Sequence, residues 1–345
     1  MISNVNAITN ILKTLETSSS IGMFARDTGG CLLSRLSLSR SKDESREISI
    51  AEISESALFY FSAPALAKIN ANLFSRIFKV EKSKLTTGIK DLRGIEPETL
   101  KKIKLGKFAQ IMSVFGIILP AVFAIAPIRN YVTLSKTGKN KFTSVVGLED
   151  TNKKEKKSEE GRDKSIHLLK KSGVISGAVL GITAVCLALA KNKALYKKAE
   201  PALDKFIKNF EFTKNCDLEM LHYGALIYPA SIAGYFYASR DKYEVMENLR
   251  RFSITVPLLL FGEKLIQNPI YRHFDKKFGT KIIDNTGVKT YKDIFKLPES
   301  QKMIALKAKN RAYGLTFFIN TIAIAAAVAL LNRVETKRHY KKEHN

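Results

Sequence analysis

Four long stretches of this 345-residue chain contain no charged residue. All 57 Lys and Arg and all 32 Asp and Glu lie outside these runs, which hold 21, 19, 19 and 21 residues. A helix on the surface of a soluble protein regularly presents a polar face, because one side of it meets water. About 20 apolar residues, at about 1.5 Å per residue, cross the ~30 Å hydrocarbon core of a bilayer. The runs therefore predict an all-α, multi-pass helical membrane protein, with spans at 108–128, 172–190, 221–239 and 312–332.

Two shorter apolar segments are ambiguous. Residues 57–67 and 252–262 each hold 11 uncharged residues, and Lys68 follows the first. Extending either one across the bilayer would place charge inside it, at about 2.5–3.5 kcal/mol for each centrally placed residue. Runs of this length are more often interfacial, re-entrant or buried in protein, so the sequence leaves open whether they cross.

The remaining segments differ in character. In chain order, a polar, weakly ordered N-terminal region (1–53) precedes a short apolar segment with a basic amphipathic helix (54–107). The helical membrane region (108–332) and a basic tail (333–345) follow. Within the membrane region, we expect a mixed-charge loop at 131–170 and a small ordered cap at 276–300. No cleavable signal peptide is expected, and no internal repeat is evident.

Two basic stretches, 68–79 and 192–210, place their apolar residues on one helical stripe. Such helices suit the plane of the membrane interface, although packing on neighbouring loops is equally compatible with the pattern. Pro201 is expected to divide the second stretch into two shorter helices.

The formal net charge of +25 indicates an anionic partner, either nucleic acid or a membrane surface, or else a contribution to solubility. The excess is spread over every polar segment, and lysines crowd against the ends of the apolar runs. Each basic side chain near an anionic lipid surface contributes about 1 kcal/mol, so a bilayer with anionic headgroups is the expected partner and nucleic acid is unlikely. For four spans the flanking Lys and Arg tie at 17 on each side, so they do not select an orientation.

Small residues line one face of two predicted spans. Gly173, Gly177 and Gly181 recur every four residues in the second span, and the fourth carries Ala323 and Ala327. Small residues let helices approach closely in lipid. They predict either a packed pair of spans or a face for homo-oligomer formation.

A few polar residues are candidates for a site. Asn320 lies near mid-depth of the fourth span, where an amide must face protein or water, as a substrate or ion contact or as an interhelical hydrogen bond. His222 opens the third span. Glu263 and Lys264 follow the short run that contains Pro257, and short Pro-interrupted segments can mark a transporter's central site. A surface turn is the alternative for that pair.

Sequence signatures of catalysis are missing. The chain contains no GxGxxG, GxxxxGK[ST], HExxH or GxSxG motif. Its three cysteines, Cys31, Cys186 and Cys216, are far apart and form no CxxC, which argues against a disulfide framework and a zinc site. We therefore predict no catalytic residue, no cofactor and no metal.

Three functions fit these patterns. The first is a non-enzymatic scaffold or envelope component of a membrane, and the second is a transporter or channel with a site near Asn320, Glu263 and Lys264. The third is a soluble, basic, helical nucleic-acid-binding protein whose apolar runs are core helices.

Overall fold

The computed structural model describes residues 2–149, 158–213, 216, 218–285 and 287–344. These residues are almost entirely helical. The first helices are α1 (Ile2–Thr17), α2 (Ser19–Phe24), α3 (Leu33–Ser37), α4 (Lys42–Ser56), α5 (Ala63–Phe78), α6 (Lys82–Thr86), α7 (Pro97–Thr137), α8 (Phe142–Val145) and α9 (Ser158–Leu189). The later helices are α10 (Lys193–Phe210), α11 (Met220–His222), α12 (Tyr228–Ala238), α13 (Lys242–Pro257), α14 (Glu263–Phe278), α15 (Tyr291–Ile294), α16 (Glu299–Phe318) and α17 (Ile324–His344).

Short π-helical segments join several of these helices end to end. They are π1 (Ala25–Leu32), π2 (Ala57–Ser62), π3 (Tyr223–Ile227), π4 (Leu258–Gly262) and π5 (Ile319–Ala323). A 3₁₀ turn spans Ile89–Asp91, and strand β1 (Ile283–Asp284) pairs antiparallel with β2 (Gly287–Val288). This hairpin and α15 lie within the segment 276–300, for which the sequence predicts a small cap. Residues 150–157 of the predicted loop 131–170 lie outside the described residues.

Three helices in the described part of the chain are long and apolar enough to cross a membrane: α7, α9 and the continuous run Glu299–His344. The third predicted span, 221–239, is not among them. Helices α11, π3 and α12 follow one another without a break there, but His222, Pro229 and four tyrosines make this run less apolar than the other three. The structure therefore supports three of the four predicted spans. The sequence also predicts that Pro201 divides the stretch 192–210 into two helices. That prediction is wrong, because α10 continues through Pro201 as one helix.

The chain forms two compact units. Unit 1 comprises Met1–Glu52, Val145–Glu149 and Tyr243–Asn345, and unit 2 comprises Ile53–Ser144 and Asp150–Lys242. In unit 1, α16 packs on α1 and α14, and π5 packs on π1. In unit 2, α7 is central and packs on α5, α9, α10 and α12.

The order of these elements repeats along the chain. The series α1, α2–π1–α3, α4–π2–α5 and α7 recurs as α10, α11–π3–α12, α13–π4–α14 and α16–π5–α17, with α9 between the two copies. Nine of the 40 residues in 39–78 are identical to the residues 200 positions later: Ser39, Arg40, Lys42, Glu44, Glu47, Leu58, Phe61, Phe74 and Phe78. The pattern Pro-Glu-Ser/Thr-x-Lys-x-Ile-x-Leu opens both α7 (97–105) and, at 298–306, α16. The expectation that the chain has no internal repeat is therefore wrong.

Each unit combines the first half of one repeat with the second half of the other, and a buried lysine joins them. In unit 2, Lys107 is fully buried on α7 and its Nζ donates to the backbone oxygens of Thr87 at 2.6 Å and Leu85 at 3.1 Å. It also donates to the carboxylate of Glu211, just after α10, at 2.7 Å. Glu211 in turn accepts the backbone N–H of Ile89 at 2.9 Å. We call this arrangement the lysine joint of unit 2.

Unit 1 contains the same joint. Lys309 is buried on α16, and its Nζ donates to the backbone oxygen of Lys289 at 2.7 Å and to Glu16 of α1 at 2.5 Å. Glu16 accepts the backbone N–H of Tyr291 at 2.8 Å. In each unit, a glutamate at the end of the first helix of one repeat (Glu16 or Glu211) binds a buried lysine of the other repeat (Lys309 or Lys107). The same glutamate accepts a backbone N–H from a loop of that other repeat.

Candidate functional site

Three π-helical segments meet inside unit 1. π1 and π4 both pack against π5, and each is preceded and followed by regular α-helix. π-helical turns interrupt the regular hydrogen-bond ladder of a helix and are found frequently at functional sites. We call the meeting point of π1, π4 and π5 the π junction.

Two glycines bring the backbones of this junction into close contact. A Cβ atom on Gly30 of π1 would lie 2.4 Å from Cγ2 of Thr321, and a Cβ on Gly262 of π4 would lie 2.4 Å from Oδ1 of Asn320. Atoms cannot approach this closely. A Cβ on Gly30 would also lie 2.5 Å from the backbone oxygen of Thr321, so this position needs glycine, whereas a Cβ on Gly262 would force the amide of Asn320 to move. The side chain of Asn320 therefore lies directly against the backbone at Gly262.

The polar side chains of π5 have no hydrogen-bond partner among the described residues. Asn320 is 4% exposed, and neither its Nδ2 nor its Oδ1 is bonded. The buried hydroxyls of Thr316 and Thr321 are also without partners. Leaving a buried donor or acceptor unsatisfied costs about 1–3 kcal/mol for each group. Among the described residues, the interhelical hydrogen bond predicted as one role of Asn320 is not formed, and its amide and the two threonine hydroxyls are buried without partners.

Charged residues surround the other side of π1. Cys31 of π1 lies near Asp27, Arg35, Glu52 and Arg251, all in unit 1. Glu52 is buried and pairs with Arg35, while Arg251 approaches it at 3.6 Å. Buried charges are tolerated where they are paired in this way. The π junction is thus bordered by an ionised network.

A second ion pair lies in the turn that leads from α3 to α4. Arg40 contacts Glu44 at 2.6 Å and Glu247 at 2.7 Å. Burial by itself would lower the pKa of Arg40, but its hydrogen bonds with the two carboxylates raise that pKa above its ordinary value. The guanidinium therefore stays charged and holds α4 to α13.

The equivalent region of unit 2 is aromatic. Phe59 of π2 meets Tyr228 edge-on, with ring centres 6.2 Å apart, and Tyr60 lies 5.7 Å from Tyr223 of π3. Counting from the two joint lysines, the position of Asn320 on α16–π5–α17 corresponds to Ile118 on α7, which is buried. The position of the Asn320 amide is therefore apolar on α7, although unit 2 has unbonded buried polar atoms elsewhere, on Asn70, Gln110 and Thr133.

The other predicted site residues lie in different places. His222 is buried in unit 2, where its Nδ1 accepts the N–H of Glu219 at 2.7 Å and its Nε2 lies 3.0 Å from the backbone oxygen of Phe210. With one nitrogen accepting, the other donates, so the ring is neutral and has no free position for a ligand. Glu263 and Lys264 begin α14 directly after π4, and their side chains lie outside the described part of the structure.

The small-residue faces are open within this chain. No atom lies within 4 Å of the Cβ positions of Gly173, Gly177 and Gly181, and Ala323 and Ala327 are exposed. The α9 helix packs on α7 through another side, where Ser176 donates to the backbone oxygen of Gly116 at 2.7 Å. The role of these faces in helix packing stays a prediction.

Sequence reasoning identified Asn320 and missed Thr316, Thr321, Gly30 and Gly262. The residues 200 positions away from Gly30 and Gly262 are Ala230 and Ser62, so the repeat gives no signal for either glycine. Among the described residues, no group of three or more His, Cys, Asp or Glu side chains is arranged to hold a metal ion. The junction instead offers oxygen atoms and one amide nitrogen.

No protein-family model, no curated protein and no solved structure matches this chain. The functional argument is therefore built from the geometry of the π junction and from the chain's own repeat.

Proposed function

We propose that the protein is a membrane transporter or channel for a small polar solute or ion, with the π junction as its binding site. The observation that carries the proposal is the buried, unbonded amide of Asn320, accompanied by the hydroxyls of Thr316 and Thr321. Polar residues within membrane segments are costly and commonly mark the path of a substrate or ion. A ligand that accepts and donates hydrogen bonds would satisfy all three side chains.

The internal repeat supports this proposal. Many transporters are built from two structural repeats, with the site formed where their helices are interrupted. Here π1 belongs to the first repeat, while π4 and π5 belong to the second. The junction thus draws on interrupted helices of both copies.

The exposure of α9 supports the membrane setting. Only 11% of its most apolar window is buried, compared with 61% for α7. Val174, Ile182 and Val185 are 58–71% exposed. Apolar patches of this extent are rare on proteins surrounded by water, but lipid would cover them. This is also the strongest argument against the nucleic-acid-binding alternative.

Flux through proteoliposomes tests the proposal. Purified protein would be reconstituted and assayed with a panel of monovalent cations, inorganic anions, amino acids and sugars. Asn320→Leu and Thr321→Val should each lower the flux of the accepted solute at least about tenfold, the effect of losing ~1.4 kcal/mol of binding. Thr336→Val is the matched control, because Thr336 is an equally buried and unbonded hydroxyl on α17, away from π5. Absence of flux for the whole panel, or equal flux in all three variants, would remove the proposal.

A non-enzymatic membrane scaffold is the second candidate, favoured by the open glycine face of α9. Within the described part of the chain, no atom lies within 4 Å of the Cβ positions of Gly173, Gly177 and Gly181. A second copy of the chain could pack there. Gly177→Leu should then reduce cross-linked dimers in lipid nanodiscs while leaving any solute flux unchanged. Dimers that persist in this variant would exclude the glycine face as the contact.

A further inference from the structure

An apolar groove of about 540 Å³ lies in unit 2 between α7, α9 and α10. Leu105 and Phe108 line it from α7, and Cys186 and Leu189 line it from α9. The apolar stripe of α10 forms the remaining wall, with Leu195, Ala199, Ala202, Leu203 and Phe206. The exposed face of this amphipathic helix is therefore part of a concave surface rather than a flat one.

The groove lies at the ends of two candidate membrane helices. Phe108 is the first residue of the uncharged run in α7, and Leu189 is one residue from the end of the run in α9. Lys102 lies shortly before the first run and Lys191 directly follows the second, and both are exposed. The groove thus begins where both helices change from apolar to basic, which is the level of lipid headgroups.

The rim of the groove is positively charged. Lys198 lines it and is exposed, and Lys101 lies over the ring of Tyr196 at 4.6 Å from its centre. The acidic residues of α10, Glu200 and Asp204, are already bound to Lys104, at 2.7 and 2.8 Å. The free charge beside the apolar groove is therefore basic.

We propose that this groove binds an anionic glycerophospholipid, with an acyl chain along the apolar wall of α10 and the phosphate beside Lys198. An acyl chain fits a lining made almost entirely of carbon, and the lysine stem can lie along that lining while its ammonium reaches the headgroup. All residues that line the groove belong to unit 2. The proposal does not depend on the solute site of unit 1.

The chain contains no tryptophan, so one introduced indole reports on a single position. Phe206→Trp places it in the groove, and Val185→Trp places it at nearly the same depth on the exposed face of α9. Each variant would be reconstituted in phosphatidylcholine containing increasing amounts of phosphatidylglycerol with brominated acyl chains, which quench indole fluorescence. Quenching of Phe206→Trp should saturate at a mole fraction several-fold lower than that of Val185→Trp.

Two further variants separate the parts of the proposal. In the Phe206→Trp background, Ala202→Leu should abolish the early saturation by filling the groove. Lys198→Gln should shift it to higher phosphatidylglycerol, whereas Lys205→Gln, on another side of α10, should not. If brominated phosphatidylcholine quenched Phe206→Trp as strongly as brominated phosphatidylglycerol, the indole would be in ordinary contact with lipid and the proposal would be overturned. Identical quenching curves for Phe206→Trp and Val185→Trp would overturn it as well.

Discussion

Lys309 and Glu16 form a buried ion pair at 2.5 Å that joins the first helix of one repeat to the last helical segment of the other. Lys309 also lies over the rings of Tyr271, Tyr291 and Tyr313, with its Nζ 5.1–5.9 Å from their centres. Rings in this position stabilise a desolvated ammonium. Burial beside the carboxylate of Glu16 raises the pKa of Tyr291 above its ordinary value, so the phenol there stays neutral.

Removing one member of this pair should strongly destabilise unit 1. Glu16→Gln leaves the ammonium of Lys309 buried without its counter-ion, and such losses cost about 3–5 kcal/mol. Lys302→Met is the control, since Lys302 pairs with Glu299 near the surface and such pairs are worth less than about 1 kcal/mol. Thermal unfolding in detergent measures both. Equal melting temperatures for the two variants would show that the joint has no special role.

The sequence predicted the helical class and the polar residue at the centre of the π junction, but not the repeat. Uncharged runs identify α7, α9 and the continuous helix formed by α16, π5 and α17, because the absence of charge can be read directly from the sequence. The stripe of 192–210 likewise predicted α10, whose apolar face lines the groove.

The repeat is harder to see because its nine shared residues in 39–78 are scattered among 31 positions that differ between the two copies. A π turn has no characteristic composition, so the sequence of Ile319–Ala323 does not predict one. Burial in protein also excludes charge, so the absence of charge in 221–239 predicts a span there as well.

The close contact at Gly262 provides a second prediction. A methyl group there would lie 2.4 Å from Oδ1 of Asn320, so Gly262→Ala should displace π5 and lower both the melting temperature and any solute flux. Gly314→Ala on α16 is the matched control, because nothing lies within 4 Å of its Cβ position. Alanine in an open helical position should stabilise the protein by up to about 1 kcal/mol. A Gly262→Ala variant with unchanged stability and flux would contradict the proposed packing.

The cap that carries Tyr291 should weaken in acid. Hydrogen bonds from the side chain and the backbone N–H of Thr290, at 2.6 and 3.1 Å, hold the pKa of Asp293 below its ordinary value. Its contribution is therefore fully present above the pKa of the unfolded chain and is lost as the pH falls through the lower, folded pKa.

Amide hydrogen exchange of α15, compared between pH 6 and pH 3 after correction for intrinsic rates, measures this effect. Asp293→Asn should remove most of the pH-dependent change. Thr290→Val, which takes away the hydroxyl donor, should move the acid transition of the cap toward higher pH. A cap whose protection is equally pH-dependent in the wild type and in Asp293→Asn would disprove the assignment.

The unsatisfied amide of Asn320 predicts that stability and function move in opposite directions at the π junction. Asn320→Leu removes two unbonded polar atoms from a buried position while keeping a side chain that branches at Cγ. The gain should be about 1–3 kcal/mol, seen as a higher melting temperature in the absence of solute. The same variant should lose the further stabilisation that the accepted solute gives the wild type, because a ligand that binds only the folded state raises stability by RT ln(1 + [L]/Kd). Natural proteins retain such unfavourable groups where activity requires them. A less stable Asn320→Leu protein would mean that the amide is satisfied within the fold, and the reason for placing a ligand at the junction would disappear.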